Sequence, residues 1–188
     1  MGKTTTARML KRLGWPVFDA DAEVHRLTGP GGAAVPRVGA IFPKVVGPKG
    51  VDRQALGQAV FGNPAALGRL EAILHPMVGG ARRKFLLQAA LRREPVVVLD
   101  IPLLFETGGH LTADVVAVAS APPFLQRQRA MARKGMSPER LKGILARQTA
   151  DHTKRRQAFV VIPTGLGRRE ALRRLTPLRH LGRKPSGD

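Results

Sequence analysis

Residues 95–106 read PVVVLDIPLLFE, and they form the clearest strand pattern in the chain. The first half is almost continuously apolar and β-branched, which is typical of a parallel strand buried on both faces. Asp100 ends the apolar run, where a carboxylate can hold magnesium or its bound water. Two other interpretations stay open, in which Asp100 only satisfies a turn and Glu106 is an exposed acid at the start of a helix.

Three more short β-rich runs complete this pattern, at residues 16–18, 115–120 and 159–162. Longer helical patterns separate them, as expected for parallel strands joined by crossover helices. The sequence therefore predicts an α/β fold with a parallel sheet, within one domain that covers residues 1–188.

A long insert, residues 22–94, separates the first two predicted strands. Helical patterns occur at residues 53–60, 65–74 and 77–91, and Asp52 and Asn63 are candidate N-caps of the first two. The insert is too long for a simple crossover, so we predict a helical subdomain that covers the substrate. His75 and Pro76 fall between two of these patterns, and proline is common at the first position of a helix.

A second helical region, residues 122–150, follows the third strand and resembles a lid. Ser137 is the predicted N-cap of its second helix, with Pro138 at the first helical position. Arg129 and Arg133 lie one turn apart on its first helix and Arg147 lies on its second. A mobile lid could bring such cations to transferring phosphates while excluding water, although a solvated basic face is an equal alternative.

Composition limits the class of protein. The chain has 188 residues, of which 43% are hydrophobic and 24% charged, as in an ordinary soluble domain. It has no cysteine, its apolar runs are much shorter than the roughly 20 residues that span a bilayer, and its N-terminus does not resemble a signal peptide. We therefore expect a cytoplasmic protein without membrane partners.

The formal net charge of +19 favours binding to a polyanion or to a small phosphorylated ligand. Single-strand binders usually place aromatic residues within the basic surface, but this chain has no Tyr and one Trp, so nucleic acid is the less favoured partner. Many basic residues lie in the predicted C-terminal helix and tail, residues 166–188. We interpret them as the solvated face of a helix followed by a frayed tail. These basic residues are Arg168, Arg169, Arg173, Arg174, Arg179, Arg183 and Lys184.

Residues 2–5 read GKTT and precede a helical pattern, like the second half of a P-loop, GxxxxGKS/T. In that motif, backbone N–H groups at a helix N-terminus hold phosphate oxygens, the lysine contacts the β- and γ-phosphates, and the first hydroxyl helps to hold magnesium. Lys3 and Thr4 would have these roles. An ordinary helix N-terminus is the alternative.

Residues 17–21 read VFDAD and place two acids where a strand is predicted to end, which is where open α/β sheets bind ligands. In an extended segment Asp19 and Asp21 would point to the same side, so one could position substrate or metal water and the other could accept a hydroxyl proton. Alternatively, one of them caps the helix that begins near Ala22.

Taken in order, the stretches GKTT, VFDAD, VDR, LEAILHP, VLDIPLLFE and ILARQ resemble the dephospho-CoA kinase family. The resemblance covers nearly the whole chain. It implies a P-loop core of parallel strands like that of nucleoside monophosphate kinases, with a helical CoA-binding insert and a lid. It also implies that ATP, with Mg²⁺, phosphorylates the ribose 3′-hydroxyl of dephospho-CoA.

The resemblance also assigns site residues. Asp21 would be the base, Lys3 and Arg129 would assist phosphoryl transfer, and Thr4 and Asp100 would bind the metal. The ATP-binding residues would be Gly2, Lys3, Thr4, Thr5 and Arg133. The acceptor-binding residues would be Asp19, His75, Leu103, Phe105 and Glu106. Adenine contacts would lie around Pro163, Thr164 and Gly165.

In the family a strand precedes the P-loop, and the resemblance implies that Met1 lies inside the loop, with the first strand missing. We expect the chain as written to express poorly or to be inactive, because each unpaired buried backbone group costs about 1–3 kcal/mol. An upstream-extended form should be active. The alternatives are another small-molecule P-loop kinase and a basic nucleic-acid-binding protein on a degenerate kinase fold. The sequence does not determine an oligomeric state.

Overall fold

The computed structural model describes residues 2–133, 135–146, 148–176, 178 and 181. In chain order the elements are α1 (Lys3–Arg12), β1 (Val17–Asp19), α2 (Ala20–Thr28), α3 (Val35–Ile41), β2 (Val46–Gly47), β3 (Gly50–Val51), α4 (Arg53–Val60), α5 (Pro64–Leu91), β4 (Val98–Asp100), β5 (Ala117–Ser120), α6 (Pro123–Met131), α7 (Pro138–Ala146), α8 (Asp151–Arg156), β6 (Val160–Pro163) and α9 (Gly167–Leu175). They fall into two compact units, residues 1–17 with 95–188, and residues 18–94.

The first unit contains a parallel strand pair. β5 pairs with β6 in a register that runs from Ala117 opposite Val160 to Ser120 opposite Pro163. The first residue of β4 is also hydrogen-bonded within this unit, since the Val98 amide donates to the Pro16 carbonyl at 2.8 Å. Parallel pairing in a chain rich in helices confirms the predicted α/β class.

The core of the first unit lies between α1, α9 and β6. Met9 and Leu10 on α1 pack with Ile162, which is fully buried, and with Ala171 and Leu175 on α9. Apolar residues three to four positions apart form one face of each helix, so burying that face against the strand stabilises both helices.

The arginines of α9 lie on its exposed side, as predicted for a solvated helix face. Glu170 forms ion pairs with Arg173 at 2.9 Å and Arg174 at 3.4 Å. Of the remaining basic residues in the predicted tail, Arg179, Arg183 and Lys184 lie outside the described residues.

The second unit is organised around α5, a helix of 28 residues with Pro76 inside it. The prediction of two helices separated at Pro76 is therefore wrong. Proline removes one backbone donor and usually breaks or kinks a helix. Here Ile73 and Leu74 before the proline and Met77 and Val78 after it all pack against the same core, and this packing keeps the helix continuous.

A short antiparallel hairpin, β2 with β3, was not predicted from the sequence. Its turn leads into Gly50, which has a φ of +85° and approaches the backbone of Gly29 so closely that a Cβ would lie 2.5 Å from the Gly29 carbonyl carbon. The two predicted caps that flank α4 are confirmed. Asp52 accepts from the Gln54 and Ala55 amides, and Asn63 accepts from the Ala66 amide.

The predicted lid, residues 122–150, contains α6 and α7. Ser137 caps α7 as predicted, since its hydroxyl accepts from the Arg140 amide at 3.2 Å. Arg129 lies on α6, but Arg133 lies beyond the end of that helix, and Arg147 falls outside the described residues. Within the part of the chain that the structure describes, no helix is both long and apolar enough to cross a membrane.

Candidate active site

The N-terminus of α1 has the properties of an anion-binding site. Gly2 precedes the helix with a φ of +95°, and the first turn of the helix carries no acidic residue. The first N–H groups of a helix have no partner within it, and the helix dipole adds positive potential at this end. Lys3 and Thr4 are the first two residues of the helix, so the phosphate-binding positions predicted from the sequence lie at its mouth.

A cavity of about 430 Å³ lies beside this helix end. Gly2, Thr4 and Thr5 line it at the N-terminus of α1, and Arg129 and Arg133 line it from the lid. Its volume falls in the usual range for small-molecule sites. The structure thus brings together four of the five predicted ATP-binding residues, together with Arg129, which was predicted to assist phosphoryl transfer.

The loop after β6 lines the cavity through Thr164, and the lid is hydrogen-bonded to this loop. Arg129 Nη2 donates to the Thr164 carbonyl at 3.1 Å. The Thr164 hydroxyl donates to the Ser120 carbonyl at 3.0 Å, which fixes the loop to the end of β5. Arg168, at the start of α9, adds a further cation to the lining. Its position at the cavity was missed from the sequence, where the run of basic residues gave no sign of which arginine borders the cavity.

Lys3 and Asp100 form an ion pair with Nζ 2.9 Å from Oδ1. The Asp100 side chain is 4% exposed, whereas that of Lys3 is 40% exposed. The two atoms are at ion-pair distance, so charge attraction contributes to the contact. The pairing brings the predicted metal-binding acid to the mouth of α1.

Gly2 offers a direct test of this geometry. A Cβ at Gly2 would lie 2.5 Å from Thr164 Cγ2 and would also be strained at a φ of +95°. We expect Gly2→Ala to displace Thr164 and to weaken ATP binding by about tenfold, the effect of about 1.4 kcal/mol. Isothermal titration with ATP measures it.

Gly14→Ala is the matched control, because Gly14 has a φ of +92° and no atom within 4 Å of the added Cβ. Both variants carry the strain of a left-handed backbone, but only Gly2→Ala adds the steric clash. Equal ATP affinities in the two variants would contradict a role for the approach between Gly2 and Thr164.

Asp19 and Asp21 lie in the second unit, and there the structure corrects the sequence analysis. The Asp19 carboxylate accepts from the Ala22 amide at 3.0 Å and caps α2, so the chain is already helical at Ala20 and Asp21. The prediction that both carboxylates alternate along an extended segment is wrong, because successive helical residues are rotated by about 100°. Asp19 has the capping role that was considered as an alternative, and Asp21 is exposed in the first turn.

The cap predicts a measurable stability difference. Asp19→Ala should lower the free energy of unfolding by about 0.5–2 kcal/mol, whereas Asp19→Asn should preserve it, because asparagine caps helices equally well. Urea denaturation of the two variants tests this. Equal losses in both would show that the capping bond is not what Asp19 contributes to stability.

The remaining predicted acceptor residues lie in different places. His75 is an exposed residue of α5 in the second unit. Leu103 follows β4 in the first unit with a φ of +55°, which is uncommon for a residue with a side chain. Phe105 stacks on His110 with ring centroids 4.9 Å apart. The Glu106 carboxylate is half-buried and contacts Thr149 and Lys154.

Comparisons with known proteins identify relatives over most of the chain. A family profile described as dephospho-CoA kinase matches residues 1–166. The chain is 56% identical over 176 residues to a dephospho-CoA kinase of Rhodospirillum rubrum, covering 93% of this chain and 83% of that protein. It is 50% identical over 189 residues to one of Gluconobacter oxydans, covering 98% and 94%.

Two solved structures have the same fold. The crystal structure of TT1252 from Thermus thermophilus matches with a TM-score of 0.76 and 34% identity, over 95% of this chain and 90% of that one. A dephospho-CoA kinase from Campylobacter jejuni matches with a TM-score of 0.66 and 25% identity, over 96% and 92%. Since the profile and the relatives each cover most of the sequence, the chain belongs to the dephospho-CoA kinase family.

Proposed function

We propose that the protein transfers the γ-phosphoryl group of ATP to the 3′-hydroxyl of dephospho-CoA, and that the ATP phosphates bind at the N-terminus of α1. The observation that carries this proposal is the position of Lys3 and Thr4 at the helix mouth, beside a cavity lined by Arg129 and Arg133. Fixed cations and N–H groups stabilise charge on a transferring phosphoryl group, and they are already in place before the reaction.

Lys3 exchanges one anionic partner for another in this scheme. Its ammonium group is paired with Asp100 in the structure, and bound ATP would offer the β- and γ-phosphates in its place. The Lys3 side chain is 40% exposed, but its Nζ is buried beside Asp100, so the ammonium is already out of water when a phosphate replaces that partner. Arg129 and Arg133 would add charge from the lid side.

Residues suited to Mg²⁺ lie at the same place. The buried carboxylate of Asp100 and the hydroxyl of Thr4 are oxygen ligands, which magnesium prefers, and Lys3 shows that a cation is stable beside Asp100. Thr4 and Asp100 would hold the ion directly or through water. Bound there with ATP, it would neutralise phosphate charge.

Asp21 is the proposed base, on the strength of the family resemblance. Its carboxylate would take the proton of the 3′-hydroxyl as the ribose oxygen forms its bond to the γ-phosphorus. The bond from that phosphorus to the β,γ-bridging oxygen breaks, and ADP leaves with the electron pair. Asp19 would support the segment that carries Asp21, and His75, Leu103 and Phe105 would contact the acceptor.

A coupled ADP-release assay tests the function. Purified protein with ATP and Mg²⁺ should release ADP in proportion to dephospho-CoA, and much more slowly with adenosine or AMP. Equal rates with all three acceptors would reject dephospho-CoA as the specific substrate and favour a broader small-molecule kinase.

A further inference from the structure

Glu106 contacts the far end of the lid. Its Oε1 accepts from the Thr149 amide at 2.6 Å, across 43 residues of sequence, and lies 2.8 Å from Lys154 Nζ. The side chains of Glu106 and Lys154 are 14% and 20% exposed. We call residues 148–151, the last of which begins α8, the lid exit. Glu106 therefore binds the lid exit and the helix that follows it.

A second bond holds the same segment. The Ser120 hydroxyl, at the end of β5, donates to Asp151 Oδ2 at 2.8 Å, and the Ser120 side chain is buried. Asp151 is the first residue of α8. The lid exit is thus attached to the end of one strand and to the turn that follows another, and both attachments lie within the first unit.

The carboxylate is held in its charged form. Burial alone raises the pKa of Glu106, but hydrogen bonds from Lys154, from its own amide and from the Thr149 amide outweigh this and hold the pKa below its usual range. A half-buried ion pair contributes little net stability against its desolvation cost, but removing one partner leaves the other charge uncompensated. Such a pair therefore favours one arrangement of the segments that it joins.

We propose that Glu106 is a positioning residue that latches the lid exit, rather than a ligand of the acceptor as the sequence predicted. The lid carries Arg129 and Arg133 in its first half, where Arg129 is hydrogen-bonded to the Thr164 carbonyl. The latch attaches the other end of the lid. With both attachments in place, the two arginines are held at the cavity where the nucleotide would bind. The inference rests on the proposed function, because positioning of the lid matters for catalysis only if ATP binds at the cavity.

The test compares Glu106→Gln, Lys154→Met, the double variant and Lys154→Arg by amide hydrogen exchange of the lid exit. Loss of a charge-assisted bond should speed exchange at Thr149 about tenfold. The double variant should match the single ones, because each of them removes the Glu106–Lys154 ion pair, and Lys154→Arg should restore protection. Glu170→Gln, which breaks an exposed ion pair on α9, is the control and should leave this exchange unchanged.

Kinetics distinguish a latch from a purely structural bond. A lid that spends less time in its binding arrangement should raise the KM for ATP about tenfold in Glu106→Gln and Lys154→Met, while the KM for dephospho-CoA stays within about twofold. Unchanged exchange with a raised KM for dephospho-CoA alone would make Glu106 an acceptor ligand and overturn the proposal. Faster exchange with an unchanged KM for ATP would overturn it as well.

The exchange measurement needs no turnover, so the two proposals can fail separately. If the wild-type protein released no ADP with dephospho-CoA but the exchange differences were present, the proposed reaction would fail, and the attachment of Glu106 to the lid exit would stand. If Glu106→Gln did not fold, Lys154→Met and Lys154→Arg would still decide the outcome, because they change the other partner of the Glu106 ion pair.

Discussion

Lys3→Met lowers kcat about 10²–10³-fold, the usual effect of removing one preorganised charge or donor from a phosphoryl or oxyanion site. The reason is local: Lys3 is the first residue of α1, and its ammonium group lies at the mouth of the helix where the phosphates are proposed to bind. A methionine fills similar space without charge, so the change is mainly electrostatic. Steady-state kinetics with ATP and dephospho-CoA measure the effect.

The ion pair with Asp100 complicates this variant, and a double variant resolves the complication. Removing Lys3 leaves a carboxylate that is only 4% exposed without its cationic partner, so the free energy of unfolding should fall by about 1–3 kcal/mol. Lys3→Met combined with Asp100→Asn removes both charges and should recover most of that stability. If the double variant also regained wild-type kcat, Lys3 would be a structural residue and the phosphate site would be wrong.

Features governed by local chemistry were predicted well from the sequence. The runs around residues 98–100, 117–120 and 160–163 are strands because their apolar, β-branched side chains suit a buried sheet. Asn63 and Ser137 cap helices as predicted, since a short polar side chain before a helix satisfies amides that have no other partner.

Features that depend on distant packing were not predictable in this way. Pro76 predicts a helix boundary, but the core on both sides of it keeps α5 continuous. The attachment of Glu106 to Thr149 and Lys154 joins positions that no sequence pattern relates. Asp19 shows that local sequence can also be ambiguous, because an aspartate is equally suited to the end of a strand and to the cap of a helix. Only the observed bond from the Ala22 amide to Asp19 shows that Asp21 lies on a helix.

Asp21→Asn is the second variant with a large expected effect, a loss of about 10²–10⁴ in kcat, as is usual when a general base is removed. Asparagine keeps the size of the side chain and cannot accept the proton. Asp21 lies in the first turn of α2, so the variant also loses a favourable interaction with the helix dipole, worth about 0.3–1 kcal/mol. Kinetics and urea denaturation must therefore be measured together.

Glu23→Gln separates the two effects, because Glu23 is the other acid in the first turn of α2 and pairs with the exposed Arg26. It removes a charge from the same helix end together with the Arg26 ion pair, so both variants should lose stability, while only Asp21→Asn should lose turnover. Comparable kcat values in Asp21→Asn and Glu23→Gln would show that helix electrostatics account for the change. The proton of the 3′-hydroxyl would then have to pass to another group, since Asp21 would not be the base.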